Sequence, residues 1–245
     1  MKQYEAVIHA LETLGGVATL GQLNQETMKI KDCEWKTKTP FASIRRIVQV
    51  YEKLFFKIKP GLWALRSYRD KLPPEIFPTD AIPKEEKEFF NHSYYQGLLV
   101  EIGNLKKYVT FVPSQDKNKR FLGKTLGEIS SQTDFYQFGY DHIMRKAKTV
   151  DVSWFNIRKM PSLLFEVEHS TDIQNSLLKF VELQDYNANF FIVADEVRKN
   201  EYLGKLSLNA FVPIKTRVQF MGYNKLSEWH TKTYEIAIVE NNLTF

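Results

Sequence analysis

Val150–Ile173, VDVSWFNIRKMPSLLFEVEHSTDI, decides how the chain is read. Two apolar runs, VDVSWF and SLLFEVEHS, have the length and β-branched content of paired strands and carry three acids between them. Asp151 opens the first run; Glu166 and Glu168 lie within the second. Residues two apart on a strand point the same way, so Glu166 and Glu168 share a face. Two like charges side by side in apolar surroundings are costly unless something positive offsets them. A hard divalent cation with oxygen ligands does so, which points to magnesium, with manganese able to take its place, or to calcium.

Asp151 and Glu166, on neighbouring strands, are therefore expected to ligate the metal, with the Val167 carbonyl as a further oxygen donor. Glu168 is expected to orient a water or take its proton. Such a site suits phosphodiester hydrolysis, which needs an aligned water and stabilisation of the leaving oxygen. Glu101, on the helix upstream, is expected to join through a water or a second metal. The alternatives are a turn or cap role for Asp151 and an exposed edge strand for the glutamates; Leu163, Leu164 and Phe165 beside them speak against the latter. His169 points away from Glu168 and is expected to make a structural hydrogen bond. His92 and His142 have no partner at metal-ligand spacing in the sequence, and Ser170–Thr171 reads as the N-cap of the next helix.

Upstream, the chain of 245 residues is long enough for one large or two modest domains. No apolar run reaches the roughly 18 residues of a membrane span, and no secretion signal is visible. One cysteine, Cys33, allows no internal disulfide and no Cys-rich zinc site, and suits a reducing cytoplasm. The net charge of +5 is uneven: residues 1–71 hold 13 Lys and Arg against 7 Asp and Glu, and the remainder 21 against 22. The basic surplus is confined to the first third, as expected of a module for a polyanion joined to something else.

That first third has helical spacing at Tyr4, Val7, Ile8, Leu11 and Leu14, stopped by Gly15–Gly16. Thr19 precedes a second helix, LGQLNQETM, and Thr39–Pro40 starts a third, FASIRRIVQVYEK. Ile44, Ile47, Val48 and Tyr51 form the third helix's inner stripe. FFKIKPGLWAL, turning at Pro60–Gly61, reads as a hairpin. Three helices and a hairpin make a winged helix-turn-helix, whose third helix enters the major groove while the wing touches the backbone. Arg45 and Arg46 are placed to read guanine edges. Lys36, Lys38, Thr39, Ser43, Lys57 and Lys59 are placed to contact the DNA backbone or the groove rim. The alternatives are an arginine pair that only solvates an exposed face, or a module that docks protein.

The stretches TKTPFASIRRIVQ and FFKIKPGLWAL resemble the HARE-type winged helix over most of residues 1–70, with Trp63 at the wing tryptophan. That resemblance implies a DNA-sensing module of the kind found in chromatin proteins, a bacterial RNA polymerase subunit and restriction-type nucleases. Asp151, fourteen residues, then Glu166-Val-Glu168 resembles the PD-(D/E)XK nuclease superfamily over roughly residues 85–195. Glu168 departs from the pattern by standing where the superfamily has lysine, although some restriction endonucleases carry Glu-x-Glu there. The resemblance implies a magnesium-dependent endonuclease of type II restriction kind acting on double-stranded DNA, and cutting both strands at a symmetric site calls for two active sites, hence a homodimer. A catalytically inert DNA reader keeping the nuclease fold is the alternative; the basic N-terminal module speaks against a glycosidase using a carboxylate pair.

The expected organisation is α/β (α+β): a winged helix-turn-helix at 1–71, a proline-rich linker at 72–90, and a restriction-endonuclease-like mixed sheet flanked by helices at 91–245. The linker rests on four of the nine prolines, at 73, 74, 78 and 83. Phe121–Lys148 shows little pattern, and RVQFMGY reads as the last recognisable strand.

Overall fold

The computed structural model describes residues 1–73, 76–77 and 84–241. The chain divides into two compact units, Met1–Pro83 with Ser227–Phe245, and Lys84–Leu226. Each is described by itself.

In the first unit, α1 (Gln3–Thr13), β1 (Val17–Thr19), α2 (Leu20–Met28) and α3 (Pro40–Val50) precede the hairpin β2 (Phe55–Lys59) and β3 (Leu62–Leu65). The strands form an antiparallel sheet in the order β1-β3-β2. Gly61 has φ +73, the left-handed conformation that the hairpin turn requires and glycine adopts without strain. Thr19 caps α2: its hydroxyl accepts from Gln22 N while Gln22 reaches back to Thr19 N. Thr39 occupies the N-cap of α3 with proline at the first turn, but its side chain makes no capping bond. Val7, Leu11, Leu23, Ile44, Val48, Phe55 and Leu65 close the core, with Trp63 packed at its edge. Tyr51, expected on the inner stripe, lies past the end of α3, is 42% exposed and stacks on Tyr4.

In the second unit, α4 (Lys84–Leu105) leads to β4 (Val109–Phe111), a small hairpin of β5 (Arg120–Phe121) and β6 (Lys124–Thr125), and the helices α5 (Leu126–Ile129) and α6 (Asp141–Ala147). β7 (Val152–Phe155), β8 (Pro161–Glu168), α7 (Ile173–Val181), β9 (Asn189–Ala194), α8 (Lys199–Leu206) and β10 (Val218–Gly222) follow. The main sheet runs β10-β9-β8-β7-β4, antiparallel at β4–β7–β8 and parallel at β8–β9–β10. The protein is thus α+β with a mixed sheet. α7 covers one face, where Ile173, Leu177 and Phe180 pack with Leu164, Phe190 and Ile192. α4 covers the other: a Cβ on Gly103 would come within 2.8 Å of the Trp154 ring, so only glycine allows this approach.

Three boundaries differ from the sequence expectation. Residues 84–90, assigned to the linker, are already helical in α4, in keeping with the helix that the pattern EEKEFFNHSYYQGLLVEIGNLKKY predicts from near Pro83, while Pro74, Pro78 and Pro83 lie outside the described residues. The stretch after β9, EVRKNEYLGKLSLNAF, whose sequence pattern predicts one helix, is α8 between two single turns of 3-10 helix. The strand RVQFMGY is followed by a long helix, α9 (Tyr223–Asn241), whose residues from Ser227 onward group with the first unit and not with residues 91–226. Every third or fourth residue of α9 is not consistently apolar, so its period was hidden in the sequence.

Candidate functional site

Antiparallel pairing of β7 and β8 sets Val152 opposite Phe165 and Ser153 opposite Leu164. One step further along the same register, Asp151 stands opposite Glu166. Both are buried, as is Glu168. Asp151 Oδ2 accepts from Val167 N at 2.8 Å, which fixes the acid against the neighbouring strand.

α7 supplies what the strands lack. Ser176 Oγ lies 2.9 Å from Glu166 Oε2 and also within hydrogen-bond reach of Glu168, its one proton serving either, so the two glutamates share a face as their spacing requires. Lys179, three residues on and hence on the same side of the helix, places Nζ 2.8 Å from Glu166 Oε2 and 3.2 Å from the Thr149 carbonyl. Thr171 Oγ1 donates to Glu168. Thr171 is therefore a partner of Glu168, and the cap of α7 expected from Ser170–Thr171 is instead Asp172, whose carboxylate accepts from Gln174 N at 2.9 Å. Arg198 braces the turn by donating to the carbonyls of His169 (3.2 Å) and Thr171 (2.7 Å). Tyr223, stacked on Tyr95, donates to the Glu168 carbonyl at 3.1 Å, and His169 Nδ1 meets its hydroxyl at 3.4 Å, the structural role expected of His169.

From the other face, α4 brings His92 Nε2 to 3.5 Å from Asp151 Oδ2. Gln96, one turn later, donates through Nε2 to Asp116 Oδ2 (2.7 Å) and to the Asp151 carbonyl (3.1 Å). His92 had no partner within reach along the sequence; the fold provides one 59 residues away in the chain. Spacing along the sequence does not tie Asp116, in the polar loop after β4, or Gln96 to the acids. His92 and Gln96, four apart on one helix face, were the available signal. Among the described residues, the His, Cys, Asp and Glu ligand atoms that converge within 4.8 Å of one another are those of His92, Asp116 and Asp151. Glu101 is not in that group. It is half-buried further along α4, where its charge acts on Tyr94.

The electrostatics follow from burial. Burial, then the charge of Asp151, pushes the Glu166 carboxyl well above the ordinary range, against the pull of Lys179. Burial also works to raise Asp151, but the His92 hydrogen bond and charge and the Val167 N–H together hold it below its usual value. Glu168 is raised by burial, moderated by the Ser176 and Thr171 hydroxyls. Lys179 is lowered by burial but raised by more through Glu166, so its ammonium persists. Glu166 Oε1 is buried with no hydrogen-bond partner among the described residues. An unpartnered carboxylate oxygen beside a second ionised carboxylate is a donor set that fits a divalent cation.

In the first unit, Lys36, Lys38, Thr39, Arg46 and Lys57 are exposed, and Ser43, Arg45 and Lys59 are half-buried. Arg45 donates to Glu235 of α9 at 3.3 Å, and Glu235 also accepts from Asn24 and Lys232. Of the two arginines on α3, Arg46 is the one whose head is open.

A mixed sheet with helices on both faces, gathering acids at the ends of two adjacent strands, defines an α+β protein with a buried carboxylate centre. The chain belongs to the family described as the type II restriction enzyme NmeDI C-terminal domain, whose pattern matches residues 71–243. It is similar to the type II restriction enzyme NmeDI of Neisseria meningitidis serogroup C, with 21% identity over 150 residues, 57% of this chain and 42% of that enzyme. The chain thus spans less than half the length of the curated relative it matches. No solved structure matches it. Among the described residues, no helix is long and apolar enough to cross a membrane.

Proposed function

We propose that this chain is a magnesium-dependent endonuclease of type II restriction kind, which hydrolyses phosphodiester bonds of double-stranded DNA at a specific site. The observation that carries it is the pairing of two buried carboxylates, Asp151 and Glu166, across β7 and β8, with the ammonium of Lys179 on one of them. Family membership and the resemblance to PD-(D/E)XK nucleases support the same reading.

Asp151 and Glu166 would hold magnesium or manganese, Glu166 offering the oxygen that has no hydrogen-bond partner among the described residues. When bound, the cation neutralises charge on the scissile phosphate and aligns a water. Lys179 takes the place of the lysine that Glu168 displaces from the strand: its charge reaches the centre from α7 and stabilises negative charge growing on the phosphate. Glu168, held by the Ser176 and Thr171 hydroxyls and raised by burial, is poised to accept a proton from the attacking water.

The first unit is proposed to be a winged helix-turn-helix that holds DNA. Its helix order and β1-β3-β2 sheet support this, as does its basic surplus. Arg46 faces the groove, with Lys36, Lys38, Thr39, Ser43, Lys57 and Lys59 around it; Arg45 joins them on release from Glu235. Cutting both strands at a symmetric site calls for two centres, hence a homodimer.

The test is incubation of the purified chain with varied plasmid DNA in magnesium and in EDTA. Discrete, metal-dependent fragments are expected, lost in Asp151→Asn and Glu166→Gln while gel shifts persist. Gel shifts with no cleavage of any DNA under either condition would instead identify a reader with an inert nuclease fold.

A further inference from the structure

Asp151 faces two ways. Its β8 side meets Glu166; its α4 side meets a second set of donors that the proposed nuclease mechanism does not use. His92 Nε2, Asp151 Oδ2 and an Asp116 oxygen lie mutually within 4.8 Å. Two ligands of a tetrahedral zinc stand about 3.4 Å apart when each bond is about 2.0–2.1 Å. The 3.5 Å between His92 Nε2 and Asp151 Oδ2 is that edge. Asp116 is 2% exposed and Gln96 fully buried, so the floor of the cluster is closed by the protein, while His92 is open at its outer side.

Gln96 provides an independent sign. Its Nε2 is spent on Asp116 and the Asp151 carbonyl, yet its Oε1, fully buried against the same cluster, has no partner among the described residues. A buried amide oxygen left without a donor is costly. A water held at the cluster would satisfy it. Lys119 also reaches Asp116 Oδ1 at 2.7 Å, but each carboxylate oxygen has two lone pairs, so this contact leaves capacity for a cation.

We propose that His92, Asp116 and Asp151 form a second divalent-cation site, separate from the Asp151–Glu166 pair except for the shared aspartate, which takes zinc in preference to magnesium. Preference follows from the donors: imidazole suits zinc and its first-row neighbours, whereas magnesium demands oxygen ligands. Asp151 then couples the two positions, because a cation on either side draws on the same carboxylate. The site stands on binding alone and does not depend on the nuclease reading.

The experiment uses the full chain stripped with EDTA and dialysed. Zinc chloride is titrated by calorimetry, and cobalt chloride, a zinc surrogate, by visible absorption, whose d–d band reports low-coordinate, near-tetrahedral binding. The expected result is a zinc site lost, or weakened more than about tenfold, in His92→Gln, Asp116→Asn and Asp151→Asn, with the cobalt band gone in His92→Gln. Glu166→Gln is expected to leave it in place. Circular dichroism identifies any variant that fails to fold, and the remaining ones decide. Unchanged zinc affinity in folded His92→Gln or Asp116→Asn would show His92 to be only the ion-pair partner of Asp151 and overturn the proposal, as would loss in Glu166→Gln. A chain that binds zinc through His92 but cuts no DNA sinks the nuclease reading alone; one that cuts DNA in magnesium but binds no zinc sinks this site alone.

Discussion

Replacing Lys179 by methionine tests the centre most sharply, because it keeps the aliphatic stem and removes only the charge. Lys179 is the cation that the structure places on Glu166, whose side chain is 2% exposed. Removing one partner of a buried ion pair costs about 3–5 kcal/mol, since the other charge is left unpaired. The Lys179 side chain is 27% exposed, so some of its interaction is screened and the lower end, about 3 kcal/mol, is the better figure. For a chain of this size that corresponds to a fall of roughly 6–12 °C in Tm. The pH dependence has a definite sign. Glu166 in the folded chain already holds its proton above the ordinary carboxylate range, and losing Lys179 raises it further. The folded variant then binds more protons than the unfolded one, so stability is full at acid pH, below the ordinary glutamate value. It declines as pH rises toward the folded value. Thermal unfolding in EDTA from pH 5 to 8 is the assay. The deficit against the parent is expected to widen with pH, to vanish in Glu166→Gln/Lys179→Met, and to shrink when magnesium is added, since the cation replaces the missing charge. Cleavage is expected to stay lost in the double variant. A Lys179→Met protein that melts within a degree or two of the parent at pH 8, and cuts at the parent rate, would refute both the ion pair and the role of the lysine.

Other outcomes follow from the same structure. Arg46→Ala is expected to weaken DNA binding by about 1–3 kcal/mol if it meets a base edge. Glu235→Ala, by freeing Arg45, should strengthen binding while changing stability by less than about 1 kcal/mol, because the pair is partly exposed; fluorescence anisotropy with and without the substitutions decides. Burial lowers the Lys59 ammonium to about 8. It is charged below that pH and loses its charge above, so DNA affinity should fall as pH climbs through about 8, and Lys59→Arg, charged throughout, should flatten the profile. Gly103→Ala would set a Cβ 2.5 Å from Thr110 Cγ2 and 2.8 Å from the Trp154 ring, and is expected to cost about 1–3 kcal/mol in urea unfolding.

The sequence alone determined the parts that are local. Helix starts at Thr19 and Thr39–Pro40, the Pro60–Gly61 hairpin, the strands around Asp151 and Glu166, and the shared face of Glu166 and Glu168 all follow from short-range stereochemistry and period-two alternation. Those effects act within a few residues, and so they can be read along the chain. What the tertiary structure decided is which distant groups meet the acids. Lys179 reaches Glu166 because α7 packs against the sheet face that carries this carboxylate. His92 reaches Asp151 because α4 lies on the opposite sheet face, Asp116 because the loop after β4 folds back to Gln96 of that helix, and Arg45 meets Glu235 because α9 comes beside α3. Electrostatic partnership depends on distance through space and on exclusion of water, and neither is encoded in the spacing of residues along the backbone.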